Sequence, residues 1–185
     1  MKDNLLVDIL YQSDFLIPYL KQFKRYLSIK PRVLDLGCKM GYNTKKIQDL
    51  GCEVVGIDIN KENIIVAKEK NNNIAFYEED ALNNLDYLGE FDGIVAIGSL
   101  IYYDVKDLEI IFNNLYRILK SNGYILLVNR NKKEDKIAYN NLDNIVYSHQ
   151  REILEFEMNN KFQFIEELAG DDNWNFLVYK KNTIK

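Results

Sequence analysis

The chain has 185 residues, 47% of them hydrophobic, and a net charge of −4 with acids and bases mixed along its length. That is the size of one domain with enough apolar material for a core, and the charge balance gives no basic footprint for nucleic acid or an anionic membrane. A single histidine, His149, excludes a multi-histidine metal site, and Cys38 and Cys52 form no C-x-x-C pair, so neither zinc nor a disulfide framework is indicated.

No run approaches the roughly 18 uninterrupted apolar residues of a membrane helix. The start, Met1-Lys2-Asp3-Asn4-Leu5, carries an early acid and no small-residue cleavage site. A cytoplasmic protein with reduced thiols is expected.

From Asn4 to Leu27 apolar residues recur at helical spacing, which predicts two short helices or one broken helix over residues 1–30. Asp14 is the expected cap of the second part, with Pro18 in its first turn. After Pro31 come five short apolar, β-branched runs: Arg32–Leu36, Glu53–Ile57, Ile74–Glu78, Phe91–Ile97 and Tyr124–Asn129. Most are continuously apolar, as strands covered on both faces are. Helical patterns lie between them at Asn43–Leu50, Lys61–Lys70, Ala81–Leu88 and Val105–Lys120. Asn60 and Asp104 are expected N-caps, and Gly123 an expected stop.

Strand and helix alternate four times, which predicts a parallel sheet with right-handed crossovers. Ser148 can cap a further helix, His149 to about Asn160, and the runs Phe162–Leu168 and Asn175–Lys180 flank a polar loop that suits an antiparallel hairpin. The expected fold is α/β: a Rossmann-like, doubly wound, seven-stranded sheet. It is mostly parallel with an antiparallel C-terminal hairpin strand and has helices on both faces; the whole chain, 1–185, is expected to form one domain, with the leading helices over 1–30 and the core over 31–185.

The most informative segment is Val33-Leu34-Asp35-Leu36-Gly37-Cys38-Lys39-Met40-Gly41-Tyr42-Asn43-Thr44. A buried strand ends in an acid, passes a glycine-bearing turn and opens a helix. In a doubly wound sheet, ligands bind at such strand ends. The second strand ends Val54-Val55-Gly56-Ile57-Asp58, about twenty residues on, where an acid can accept ribose hydroxyls.

The segment resembles the first motif of class I S-adenosylmethionine-dependent methyltransferases, V-L-D-L-G-C-G-x-G. The resemblance runs from about Arg32 to Lys180. It implies a glycine loop of Gly37, Cys38, Lys39 and Gly41 packed under the methionine part of S-adenosylmethionine, with S-adenosylhomocysteine as product. It implies Asp35 near the amino group, Asp58 on the ribose and Ile59 on the adenine. Asp80 would take the adenine amino group, with the Ala81 N–H on a ring nitrogen; Glu79 is the rival to Asp80. Gly98 and Ser99 follow a fourth strand that matches the family's F-D-x-V pattern, and Tyr11 of the leading helix would lie over the cofactor.

One position departs from the family. Lys39 stands where the pattern has its middle glycine, and it either narrows the site, turns outward or reaches the cofactor's carboxylate. The loop after the fourth strand is not D-P-P-Y or N-P-P-Y, so amide or exocyclic amino nitrogens are disfavoured as acceptors. The expected partner is a small-molecule substrate, governed by the leading helices and the segment Arg130–Tyr147. Tyr11, Tyr102, Tyr103, Asp104 and His149 are candidate proton acceptors, and none is singled out.

Two other classes compete. One is a catalytically silent S-adenosylmethionine-binding subunit or regulatory protein. The other is a nicotinamide oxidoreductase, which wants G-x-G-x-x-G and finds Gly37-Cys38-Lys39-Met40-Gly41-Tyr42.

Overall fold

The computed structural model describes residues 14–130, 136–138, 145–147, 151–158, 160–168 and 174–183. The first part of the expected leading helix, Tyr11, Ser148, His149 and the loop 169–173 lie outside them.

Nine strands form. β1 (Arg32–Leu36), β2 (Glu53–Asp58), β3 (Ala75–Glu78), β4 (Phe91–Ile97), β5 (Leu119–Arg130), β8 (Phe162–Leu168) and β9 (Trp174–Lys181) make one sheet in the order β3-β2-β1-β4-β5-β9-β8. The first five pair in parallel, and β9 runs antiparallel between β5 and β8. β6 (Lys136–Ala138) and β7 (Ile145–Tyr147) form a separate antiparallel pair inside the segment expected to govern the acceptor. The helices are α1 (Ile17–Lys24), α2 (Tyr42–Asp49), α3 (Lys61–Lys70), α4 (Val105–Ile118) and α5 (Arg151–Met158).

β1, β2 and β4 are apolar at most successive positions because neighbouring side chains go to cores on opposite faces of the sheet. Leu34, Val55 and Ile94 face the layer built by Leu108, Ile111, Phe112 and Leu115 of α4 with Leu154 of α5. Val33, Val54 and Val95 face Leu20 and Phe23 of α1 and Ile47 of α2. On that second face Tyr19 stacks flat on Phe176 of β9, with ring centroids 3.9 Å apart. No helix among the described residues is long and apolar enough to cross a membrane.

Two caps stand as expected. Asn60 accepts the Asn63 N–H at 3.0 Å, and Asp104 accepts the N–H groups of Lys106 and Asp107. Three expectations need correction. Asp14 opens a 3-10 turn, Asp14–Leu16, and α1 starts after Leu16 without a side-chain cap. α4 stops at Ile118 because Leu119 enters β5 opposite Phe91; Gly123 therefore lies inside the strand, after Asn122 at φ 122°.

The third is the expected helix Ala81–Leu88, which is only a 3-10 turn over Asp86–Leu88. Buried Asn114 of α4 donates to the carbonyls of Ala81 and Asn83, both at 2.8 Å, and Asn84 accepts the Asp86 N–H. Side-chain amides thus take backbone groups that a helix would pair internally.

Candidate functional site

The parallel strands end on one rim, and a crevice of about 490 Å³ opens there, within the usual range for small-molecule sites. Of the residues expected at a ligand, Gly37, Lys39, Asp58, Ile59, Ala81 and Ser99 line it. So do Leu36, Ile57, Asn60, Asn63, Glu79, Tyr102 and Tyr103. Asp35, Cys38, Gly41, Asp80 and Gly98 do not line it. Asp104 is engaged as the α4 cap.

The turn after β1 is tied to β2 by backbone bonds. Gly37 and Cys38 N–H groups donate to the Ile57 carbonyl at 2.8 and 2.9 Å, and the Lys39 N–H donates to Asp58 Oδ2 at 2.9 Å. Gly37 has φ 75°, and a Cβ there would lie 2.4 Å from the Ser99 Cβ. The crevice is thus narrow at Gly37 because the loop after β4 presses on bare backbone. Gly41, at φ 78°, is the N-cap of α2, and a Cβ there would meet Phe76 and Asn71. The Cys38 side chain points the other way, into a small core with Ile64, Ala67, Ile74 and Phe76. Gly98 anchors its loop by donating to the Val128 carbonyl.

Asp58 is nearly buried, and its carboxylate is held from three sides. Besides Lys39, the Asn60 N–H and the Asn63 side-chain amide donate to Oδ1 at 2.9 and 3.1 Å. Asn60 and Asn63 were not singled out as lining residues. Their signal is their place in the first turn of the helix after Asp58, where side chains lean back over the strand end.

Asp35 is buried and accepts the Thr44 hydroxyl at 2.6 Å. Burial, opposed by the Thr44 hydrogen bond and reinforced by the Asp58 charge, raises its carboxyl to about 7 in all.

Glu79 reaches the crevice wall. Its carboxylate accepts from the Asp80 N–H, the Asn83 amide and the Tyr87 hydroxyl. Burial pushes the Glu79 carboxyl up, but those donors outweigh it and hold the group below the usual carboxylate range. Asp80 Oδ1 accepts the Leu82 N–H at 3.0 Å and the Tyr103 hydroxyl at 3.1 Å. Burial, then the Asp80 charge and hydrogen bond, raise the Tyr103 phenol.

Two features fit an adenosyl ligand. Ile59 is a large apolar side chain left 62% exposed on the rim, where a flat ring would cover it. The Ser99 hydroxyl is buried against the crevice and has no hydrogen-bond partner among the described residues. Among the described residues no cluster of histidine, cysteine and acid side chains could hold a metal.

A doubly wound sheet with an acid-lined crevice at its strand ends defines an α/β protein of the nucleotide-cofactor type. A family model described as a methyltransferase domain matches residues 33–123. That match, over about half of the chain, together with the fold supports a class I S-adenosylmethionine-dependent methyltransferase.

It is similar to the ubiquinone biosynthesis O-methyltransferase of Pelagibacter ubique, with 33% identity over 120 residues, which cover 61% of this chain and 49% of the relative. The PH0226 protein of Pyrococcus horikoshii OT3 has the same fold, with TM-score 0.80, 22% identity, and 94% and 96% of the two chains covered. Magnesium protoporphyrin IX methyltransferase of Synechocystis PCC 6803, solved with bound S-adenosylmethionine, overlaps with TM-score 0.69 at 16% identity, over 91% of this chain and 77% of that one. The chain spans half or less of the length of the curated relatives it first matches.

Proposed function

We propose that this chain binds S-adenosylmethionine in the crevice and transfers its methyl group to a small-molecule acceptor. The observation that carries the reading is the convergence of Gly37, Asp58, Ala81 and Ser99 on one pocket from four successive strand ends. In this reading the ribose hydroxyls meet Asp58, Ile59 covers one adenine face, and Asp80 with the Ala81 N–H meets the adenine edge. The methionine part lies along Gly37 beside Ser99, with Asp35 behind the turn.

The bound cofactor supplies a methyl group on a positively charged sulfur, open to in-line displacement. The chain's own task is then to hold donor and acceptor collinear and to keep water out. Tyr102 is half-exposed and lines the crevice, and in this reading it borders the acceptor. The similarity to a relative named as an O-methyltransferase supports a small-molecule acceptor and makes oxygen the first atom class to test.

The test has two arms. Calorimetric titration of the native chain with S-adenosylhomocysteine should give saturable one-site binding, and Asp58→Asn should weaken it about a hundredfold through lost charge-assisted bonds. Incubation with S-adenosylmethionine and a panel of hydroxyl and amine acceptors should then show methyl transfer. A native chain that binds neither ligand refutes the proposal.

A further inference from the structure

Tyr103 follows the 3-10 turn Leu100–Tyr102 and lines the crevice. Its hydroxyl donates to Asp80 Oδ1 at 3.1 Å, beside Ala81, which also lines the crevice. The amino group of adenine would offer that carboxylate the same kind of contact, an N–H donor in place of the phenol O–H.

We propose that Tyr103 is an autoinhibitory contact: in the free protein its hydroxyl holds the carboxylate that reads the adenine amino group, and an adenosyl ligand must displace it to seat. This rests on the proposed function, in which Asp80 and the Ala81 N–H meet the adenine edge.

The surroundings make Tyr103 the movable partner. Asp80 Oδ1 also accepts the Leu82 N–H at 3.0 Å, which keeps the carboxylate in place when the phenol leaves. The Tyr103 backbone is tied on both sides: its N–H donates to the Leu100 carbonyl at 3.2 Å, and Asp104 beside it caps α4. In this proposal the side chain turns about its own bonds to clear the subsite. The measured affinity is then the intrinsic affinity multiplied by the fraction of molecules with Tyr103 released.

The test is calorimetric titration of the native chain and Tyr103→Phe with S-adenosylhomocysteine, together with melting curves of both proteins with and without it. Phenylalanine keeps the ring and removes the competing hydroxyl. Tyr103→Phe is expected to bind about five-fold more tightly, the order of one hydrogen bond no longer broken on binding. Its ligand-free melting temperature should fall while the upward shift on adding ligand grows; a merely structural tyrosine would not move these in opposite directions. Unchanged or weaker binding by Tyr103→Phe, with native binding intact, overturns the contact and leaves the proposed function standing. No binding by either protein overturns both.

Discussion

Asp58 at the tip of β2 accepts the backbone N–H of Lys39 from the turn after β1 at 2.9 Å. The bond requires the chain to pass through Lys39 in a left-handed conformation, φ 47°. Glycine adopts that region freely, whereas a lysine pays about 1 kcal/mol of backbone strain. The departure from the family pattern is therefore accommodated by strain at one residue, and the link from turn to strand survives.

Lys39→Gly should consequently change little at the cofactor. The backbone N–H to Asp58 persists, so S-adenosylhomocysteine affinity should stay within about threefold of native, by an argument from retained hydrogen bonds. Relief of strain and the greater freedom of the unfolded glycine nearly cancel, leaving stability within about 1 kcal/mol. Calorimetry and urea unfolding measure the two quantities. A native chain with no affinity, restored by glycine, would show instead that the lysine side chain blocks the crevice.

Gly37 is expected to tolerate no side chain. At φ 75°, with a Cβ 2.4 Å from that of Ser99, Gly37→Ala combines left-handed strain with overpacking. A loss of about 2–4 kcal/mol is expected in urea unfolding. Adding Ser99→Gly removes the clashing atom and should restore most of the packing part, leaving about 1 kcal/mol of backbone strain. Equal instability of the single and double variants would place the damage elsewhere.

Asp35 gives a pH signature. Its carboxyl is raised from 3.8 to about 7, first by burial and then by the Asp58 charge, against the Thr44 hydrogen bond. The folded state therefore favours the protonated form. That stabilisation is fully present below about pH 4 and is lost as pH rises toward 7, by about 4 kcal/mol in all and at most about 1.4 kcal/mol per unit. Asp35→Asn, always neutral, should lack this fall. Urea unfolding at pH 5, 6 and 7 should show native stability decreasing relative to the variant, and parallel curves would exclude the mechanism.

How much of this was legible in the sequence differs residue by residue. β1, β2 and β4 were readable because strands buried on both faces must be apolar at every position. Gly37 and Asp58 were readable because a tight strand-to-helix turn and a strand-end acid are written in adjacent residues. The turn at Ala81–Leu88 was not, since its apolar spacing matches a helix and the competing amide comes from Asn114, more than thirty positions away. The β6–β7 pair hid in a polar segment whose composition reads as loop.

The sequence alone determined the layered α/β architecture and which strand ends carry glycine and acid, since periodicity and turn chemistry are local. Only tertiary structure decided how those ends are used: that Asp58 is spanned by Lys39, Asn60 and Asn63, that Glu79 lines the crevice, and that Tyr103 reaches back to Asp80. Contacts across a crevice depend on the relative placement of separate loops, and that placement is set by the packing of the whole sheet.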